Sequence, residues 1–350
     1  MSFNKKLISL ILAFVMVLVA LPLTDLRSYA TDPSDFTYAV ISENDKTAEL
    51  TGYTGSGGDV VIPSTIDGYT IISIGDATFG TDEPNFSIVS LSIPSSIDSI
   101  SVFALAFLAN CSSFSVDSNN TTYSSFEGVL YNKNKTELVR YPAQRNLASF
   151  DIVSTVTSIG FAAVSFSNLS EIIVPYGVRS ITDFAFAYSS VIERIVLPDS
   201  LIYLGGDSFD LCSQLNEVVL PTSLDTINSF VFYGCSSLYS LVIPDNITSI
   251  NSDAFAVSGL TTIYGVSGSY AESFANNNSY TFIDIGTLTK GDMNNDNLAN
   301  PSDIDIMLQL ASGNQSATAI QLNLGDLNND GVVDGFDAAA LDRKVYENVD

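Results

Sequence analysis

The sequence predicts a mixed α/β chain: a β-solenoid of stacked coils, then a small all-α module made from a duplicated loop–helix unit. Two observations carry this. Prolines recur every 23 residues at Pro175, Pro198, Pro221 and Pro244, each closing a short apolar run. Near the carboxyl end an oxygen-rich pattern of twelve residues occurs twice, first at Asp292 and again 34 residues later at Asp326. At 350 residues and 46% apolar, the chain has material for about two packed domains.

The first thirty residues read as an export signal. Lys5 and Lys6 precede an apolar run from Leu7 to Leu23, and Ser28-Tyr29-Ala30 offers small residues for cleavage. An uncleaved membrane anchor is the competing reading, because the run approaches spanning length. The first boundary is therefore drawn at 1–30. From Phe36 to Tyr53 apolar and polar residues alternate around Glu43-Asn44-Asp45, which predicts a hairpin over the first coil.

In the repeats, Ile172-Ile173-Val174, Ile195-Val196-Leu197, Val218-Val219-Leu220 and Leu241-Val242-Ile243 read as strands. Proline cannot donate to a ladder and ends each one. Eleven residues after each proline stand Phe186, Phe209, Phe232 and Phe255, expected to meet inside the stack. Looser copies begin at Val60-Val61-Ile62-Pro63 and Leu91-Ser92-Ile93-Pro94, and one without proline spans about Phe150 to Leu169. Residues 119–146 read as an insertion, with a hairpin through Gly128-Val129-Leu130-Tyr131.

Strand neighbours alternate in direction, so Val61, Ile173, Val196, Val219 and Val242 should form a row facing away from the coil interior, with Ser92 the exception. That row is a candidate protein-binding stripe; plain valine–valine packing between strands explains it equally. Cys212 and Cys235 hold equivalent positions in adjacent coils and read as a buried ladder of small side chains, with a disulfide as the alternative. Tyr188, Tyr203, Tyr233 and Tyr239 occupy different repeat positions and make no regular strip.

Composition restricts the chemistry. With 39 acidic against 13 basic residues the net charge is −26, which argues against nucleic acid and anionic membrane as partners. Histidine is absent, which removes serine–histidine and cysteine–histidine catalysis. Paired carboxylates remain open in principle, yet no acid–base couple stands out in the repeats.

The two C-terminal loops place acidic and amide residues at positions 1, 3, 5, 9 and 12: Asp292, Asn294, Asp296, Asn300 and Asp303, then Asp326, Asn328, Asp330, Asp334 and Asp337. Leu298 and Val332 hold position 7, where a backbone carbonyl serves. Such a set of oxygens suits calcium, and two ions are expected. Gly331 supplies the sharp turn at position 6; Asn297 replaces it in the first loop. Each loop runs into apolar residues at helical spacing: Ile304, Met307, Leu308 and Ala311, then Phe336, Ala340, Leu341 and Val345. Half of an EF-hand is thus used twice.

Two resemblances follow. The run from Ile243-Pro244 through Leu260 resembles BspA-type leucine-rich repeats, over about residues 33–286, with Gly128 to Tyr131 similar to that family's insertion and Ile263 to Ile285 to its closing cap. This implies a curved solenoid with a parallel sheet on one side, and binding functions of diverse kinds. Residues 291–346 resemble a type I dockerin, which implies calcium-dependent docking to a cohesin module of a scaffoldin. The same resemblance points to Pro301 and Ser302, Gly335 and Phe336 at loop positions 10 and 11, and to Arg343 and Lys344 on the helix, as cohesin contacts. Pro301-Ser302 differs from Gly335-Phe336, which counts against symmetrical two-way docking; Phe336 could be a contact or a core residue.

The domain plan is a signal peptide at 1–30, a repeat domain at 31–286, a linker at 287–290 and a dockerin at 291–350. The function expected is a secreted, non-catalytic subunit of a polysaccharide-degrading complex, with a solenoid that binds protein or a cell surface. A polysaccharide-active enzyme or carbohydrate-binding component is the alternative.

Overall fold

The computed structural model describes residues 31–80, 84–145, 150–286, 290–294, 298–312, 318, 321, 324–327, 333 and 335–347, the last with backbone alone at 342–344 and 346–347. The export segment lies outside them. Among those described, no helix is long and apolar enough to cross a membrane.

The chain enters as the expected hairpin. Phe36–Ser42 pairs antiparallel with Thr47–Tyr53, which then pairs in parallel with Tyr69–Ile74 of the first coil. Coils follow in a β-solenoid of about ten turns. The strands that precede the prolines pair in parallel and in register: Glu171–Ile173 with Arg194–Val196, and the latter with Glu217–Val219. Ile172, Ile195 and Val218 are buried, so the inward half of the alternation holds.

The sequence suggested one parallel sheet; each coil in fact contributes to two. A second ladder begins five residues after each proline, with Ser158–Ile159, Ser180–Ile181 and Tyr203–Leu204 paired in parallel, and Thr226–Ile227 paired with Ser249–Ile250. Strands of two residues are too short to show alternation, so only their inward members, Ile181, Leu204, Ile227 and Ile250, were legible as apolar positions. The chain between the second ladder and the next coil turns through left-handed residues at fixed repeat positions, among them Phe184, Tyr188, Asp207, Leu211, Phe230, Gly234 and Val257. Backbone bonds still run from coil to coil there, from Phe184 N–H to Gly206 C=O at 3.1 Å and from Asp207 N–H to Ser229 C=O at 3.1 Å.

This geometry yields a first prediction. Val257 is 72% exposed and holds φ at +59°. A β-branched residue there carries a backbone cost of about 1–2 kcal/mol. Val257→Asn is expected to raise stability by about 1 kcal/mol in equilibrium denaturation; an unchanged or lowered midpoint contradicts the strain argument.

The core is a ladder of rings. Phe186 and Phe209 stack at 5.3 Å, Phe209 and Phe232 at 5.4 Å, Phe232 and Phe255 at 5.6 Å, all within 10° of parallel. The cap ends it: strand Thr262–Gly265, helix α1 (Tyr270–Asn277) and strand Thr281–Asp284 place Phe274 edge-on against Phe255 at 6.0 Å. Cys212 and Cys235 are buried free thiols, each donating to the carbonyl of the ring residue one coil earlier, Phe186 and Phe209, at 3.2 Å. Burial pushes both thiols up, and Cys111 to about 11. They stay protonated at neutral pH, so none of the three is expected to react with iodoacetamide until the chain is denatured.

The insertion lies between two apolar clusters. Strands Tyr123–Phe126, Val129–Asn132 and Glu137–Arg140 form a meander that joins the second ladder through Ser158–Ile159. Val129, Tyr131 and Leu138 pack into the later core, while Leu130 packs into the earlier one, with Val139 against it. Arg140 spans the seam. Its buried guanidinium donates to the Ala162 carbonyl, to Ser165 Oγ at 2.7 Å and to the Ala106 carbonyl at 3.1 Å, so one side chain ties together turn segments the insertion has separated. Burial brings its pKa down to about 10, which leaves it charged at neutral pH. Arg140→Ala would orphan these acceptors, and a loss of about 3 kcal/mol is expected; a loss under 1 kcal/mol would show that the seam closes without it.

Candidate functional site

The C-terminal loops converge on their own helices. Helix α2 (Pro301–Ala311) begins at Asn300, whose Oδ1 accepts from Ser302 N–H at 2.9 Å, with proline at the first helical position. Asp303 returns the bond: its Oδ2 accepts from Asn300 N–H at 2.9 Å and completes a capping box. Its Oδ1 accepts from Met293 N–H at 2.7 Å and Asn294 N–H at 3.1 Å, which pulls the loop's start onto the helix's start. Helix α3 (Gly335–Glu347) repeats the arrangement, with Asp337 Oδ1 accepting from Leu327 N–H at 2.8 Å. In both loops, position 12 therefore closes on the N–H of position 2.

Asp292, Asp303 and Asp337 are fully buried. Buried carboxylates require compensating charge or donors, and an all-oxygen set of carboxylates, amides and carbonyls is the donor chemistry of a hard divalent cation. Asp296, Asn297, Asn328, Asp330, Gly331, Val332 and Asp334 lie outside the described residues, and so do parts of both loops. Among the described residues no three acidic or cysteine side chains form a cluster that could hold a metal. The described residues Asp292, Asn294, Leu298, Asn300 and Asp303, with Asp326 and Asp337, fit a calcium loop in identity; Asp292, Asp303 and Asp337 are buried, Asn300 and Asp326 half-buried, and Asn294 and Leu298 exposed.

Met293, Met307, Leu310, Val333, Ala338 and Leu341 form a separate small core, with Ile304, Ile306, Leu327 and Val345 against it. Two helix positions depart from the sequence reading. Leu308 is 49% exposed and Ala311 is exposed, while Leu310 points inward. Inserting Ile306 and Leu310 into the core rotates the apolar face away from Leu308. Pro301, Ser302 and Gly335 are exposed, and Phe336 is exposed at 76%, which answers the open alternative in favour of a surface residue. The side chains of Arg343 and Lys344 lie outside the described residues.

On the solenoid the valine stripe is uneven. Val61 and Ile173 are exposed, Val196 and Val219 half-buried, and Val242 buried. Ser92 breaks the row by accepting a partner, Ser115, hydroxyl to hydroxyl at 2.8 Å. Beside it Arg194 bridges Glu171 at 2.5 Å and Glu217 at 3.3 Å. This graded burial and ion-pair ladder suit packing of one strand on the next better than a continuous apolar patch. A different row escaped the sequence reading. Phe103, Phe184 and Phe230 stand nine residues after Pro94, Pro175 and Pro221, all half-buried. They share one phase of the repeat but are 81 and 46 residues apart, with Asp207 at the position between Phe184 and Phe230, so no unbroken aromatic period marks the row in the sequence.

Comparison with known proteins bears directly on both halves. Residues 140–261 match the family model of the BspA type leucine rich repeat region in six copies, and residues 290–346 match that of the dockerin type I domain. The chain carries BspA-type leucine-rich repeats and a type I dockerin domain. No curated protein matches. Similar solved structures include a leucine-rich repeat protein from Eubacterium ventriosum, at 27% identity over 58% of this chain and 65% of that one, TM-score 0.45. The pneumococcal vaccine antigen PcpA is 18% identical over 65% of this chain and 67% of its own, TM-score 0.47. A leucine-rich repeat protein from Bacteroides ovatus is 21% identical over 74% and 76%, TM-score 0.41. The chain thus spans about two thirds of the length of the first two. Type I dockerins bind calcium and imply a cohesin partner; neither domain type is catalytic.

Proposed function

We propose that this protein is an exported, non-catalytic subunit that docks through two calcium-loaded loops to a cohesin module of a scaffoldin, within a polysaccharide-degrading complex. Its solenoid presents a surface to a protein or cell-surface ligand. The observation that carries the docking half is the matched closure of both loops: Asp303 on Met293 N–H and Asp337 on Leu327 N–H, with loop positions 10 and 11 exposed beside each.

In this mechanism calcium supplies the positive charge that lets the acidic loops close. The chain's own residues do the rest. Asp292, Asn294, Asp296, Asn300 and Asp303 would hold one ion with the Leu298 carbonyl. Asp326, Asn328, Asp330, Asp334 and Asp337 would hold the second with the Val332 carbonyl. Asp303 and Asp337 fix the helix starts, so Pro301, Ser302, Gly335 and Phe336 are presented on rigid first turns. Phe336, exposed and aromatic, has the character of a hot-spot anchor, with Arg343 and Lys344 as rim charges. The two copies present different residues, which favours docking in one orientation.

The test is capture of the full chain on immobilised cohesins, with calcium and with chelator. Retention in calcium and release by chelator are expected, and Phe336→Ala should weaken capture at least tenfold. Binding that ignores the chelator contradicts the proposal. The solenoid half is tested separately, by saturable binding of the full chain to the producing cells or to defined supernatant proteins, and hydrolysis of plant polysaccharides by the purified chain would overturn the non-catalytic assignment.

A further inference from the structure

The half-buried row nine residues after each proline has a composition the fold does not require. In coil order it reads Phe103, Phe184, Asp207, Phe230 and Asp253, with Phe161, one position earlier in the coil that lacks the proline, lying between the first two. The early rings touch: Phe103 and Phe161 lie 4.8 Å apart, Phe161 and Phe184 5.6 Å. The later part alternates aromatic and acidic. Backbone bonds place these residues side by side in successive coils, from Phe184 N–H to Gly206 C=O and from Asp207 N–H to Ser229 C=O. Asp207 and Asp253 are thus two coils apart, about 10 Å at the usual spacing of paired strands.

Acid is unexpected at these positions. The five residues of the row, and Phe161 beside them, are neither fully exposed nor in the core. The turn backbone tolerates phenylalanine there, since Phe184 and Phe230 are left-handed at +59° and +56°, as Asp207 is at +54°. A carboxylate half-buried among rings is less well solvated than one on an open face and gains less from the surroundings than phenylalanine would. Asp253 Oδ1 is shielded from solvent and accepts no hydrogen bond. A third carboxylate joins them: Asp210 lies close enough, with Asp207, for both charges to help push the Tyr188 phenol up, after burial as the main cause. Tyr188 in turn stacks on Phe166 at 4.9 Å.

Rings that border carboxylates are the chemistry that receives cationic side chains. The ring faces attract the cation and cover its aliphatic stem, and the acids supply countercharge. We propose that this alternating row is the docking surface for a protein segment in polyproline II conformation that carries two basic side chains three residues apart, flanked by apolar ones. Three residues of polyproline II make one full turn and rise about 9 Å, so both basic side chains face the row at a spacing near the separation of Asp207 and Asp253, while Phe184 and Phe230 receive the apolar neighbours. The proposal deepens the reading of the solenoid as a binding surface and rests on it. It places that surface on the turn row and not on the valine stripe.

The experiment uses the full chain in calcium at physiological salt, with fluorescently labelled peptides read by anisotropy. The probe is Arg-Leu-Ser-Arg-Leu, and the controls replace both arginines by glutamate or by serine. Saturable binding of the arginine peptide is expected, with neither control binding. Asp207→Phe and Asp253→Phe put the row's own consensus residue at each acid, so both variants should fold, and each is expected to weaken binding at least tenfold. Asp151→Asn, an exposed acid in another coil, removes the same charge and should leave affinity unchanged. Equal losses in all three variants would reduce the effect to net charge and overturn the proposal. So would binding of the serine peptide with undiminished affinity, or retention of soluble β-glucan that Phe184→Ser abolishes, which would assign the row to a glycan. If the peptide fails while the cell-surface assay above still succeeds, this row is the wrong surface; if both fail, the solenoid reading fails with it.

Discussion

Asp303→Ala is expected to abolish capture by cohesin and to unfold residues 291–350 while leaving the solenoid intact. Asp303 joins three parts of the module. Both carboxylate oxygens accept backbone N–H groups, from Met293, Asn294 and Asn300, and so join loop start, loop end and helix α2. A hydrogen bond to a charged acceptor contributes about 1.5–3 kcal/mol, and three are lost together. The calcium ligand is lost in the same step. The apolar cluster beneath, six buried side chains led by Met293, Met307 and Leu341, is too small to hold the module without them. Calcium acts in the same direction, stabilising the fold by about 2.7 kcal/mol per site when free ion exceeds the dissociation constant a hundredfold. Proteolysis followed by mass spectrometry should show cleavage confined to the C-terminal segment in the variant and in chelated wild type. A resistant tail in either case would contradict this account.

Phe209→Ala is expected to cost about 4 kcal/mol of solenoid stability. Phe209 is fully buried in the middle of the ring ladder, stacked on Phe186 at 5.3 Å and Phe232 at 5.4 Å. The cavity cannot collapse easily, because backbone bonds on either side, such as Phe209 N–H to Val231 C=O at 2.9 Å, fix the distance between coils. Each coil contacts chiefly its neighbours, so the loss should also divide the stack into two less cooperative halves. Phe255→Ala, next to the cap, should cost less. Chemical denaturation of both variants checks the order; equal costs would show that the ladder is not the cooperative element.

Legibility followed the length of the physical signal. The period of 23 residues exposed the coils, the ring ladder and the buried thiols, because every copy must meet the same neighbour in the same way. The N-terminal hairpin was legible from alternation and the insertion's turn through Gly128 from turn residues, while the cap around α1 followed only from the family resemblance. The second ladder was not, since two residues such as Ser180 and Ile181 carry no period. Arg140 was not legible either: a lone arginine in a strand gives no sign that it will be buried across a seam. In the C-terminal module the ligand spacing gave the loops directly, while helix rotation did not follow from spacing alone. Leu308 fits the apolar face on paper, yet Leu310 joins Met307 in the buried cluster and Leu308 stays exposed. Phe336 is a surface residue for the related reason that Ala338 and Leu341 already fill the core.

The central claim is tested most directly by calorimetric titration of calcium into the full chain after removal of metal, alongside the Asp303→Ala and Asp337→Ala variants. Two ions per chain are predicted for wild type and fewer for each variant, with cohesin binding rising in step with occupancy. A chain that takes up no calcium, or that binds cohesin equally before and after the titration, would contradict the account.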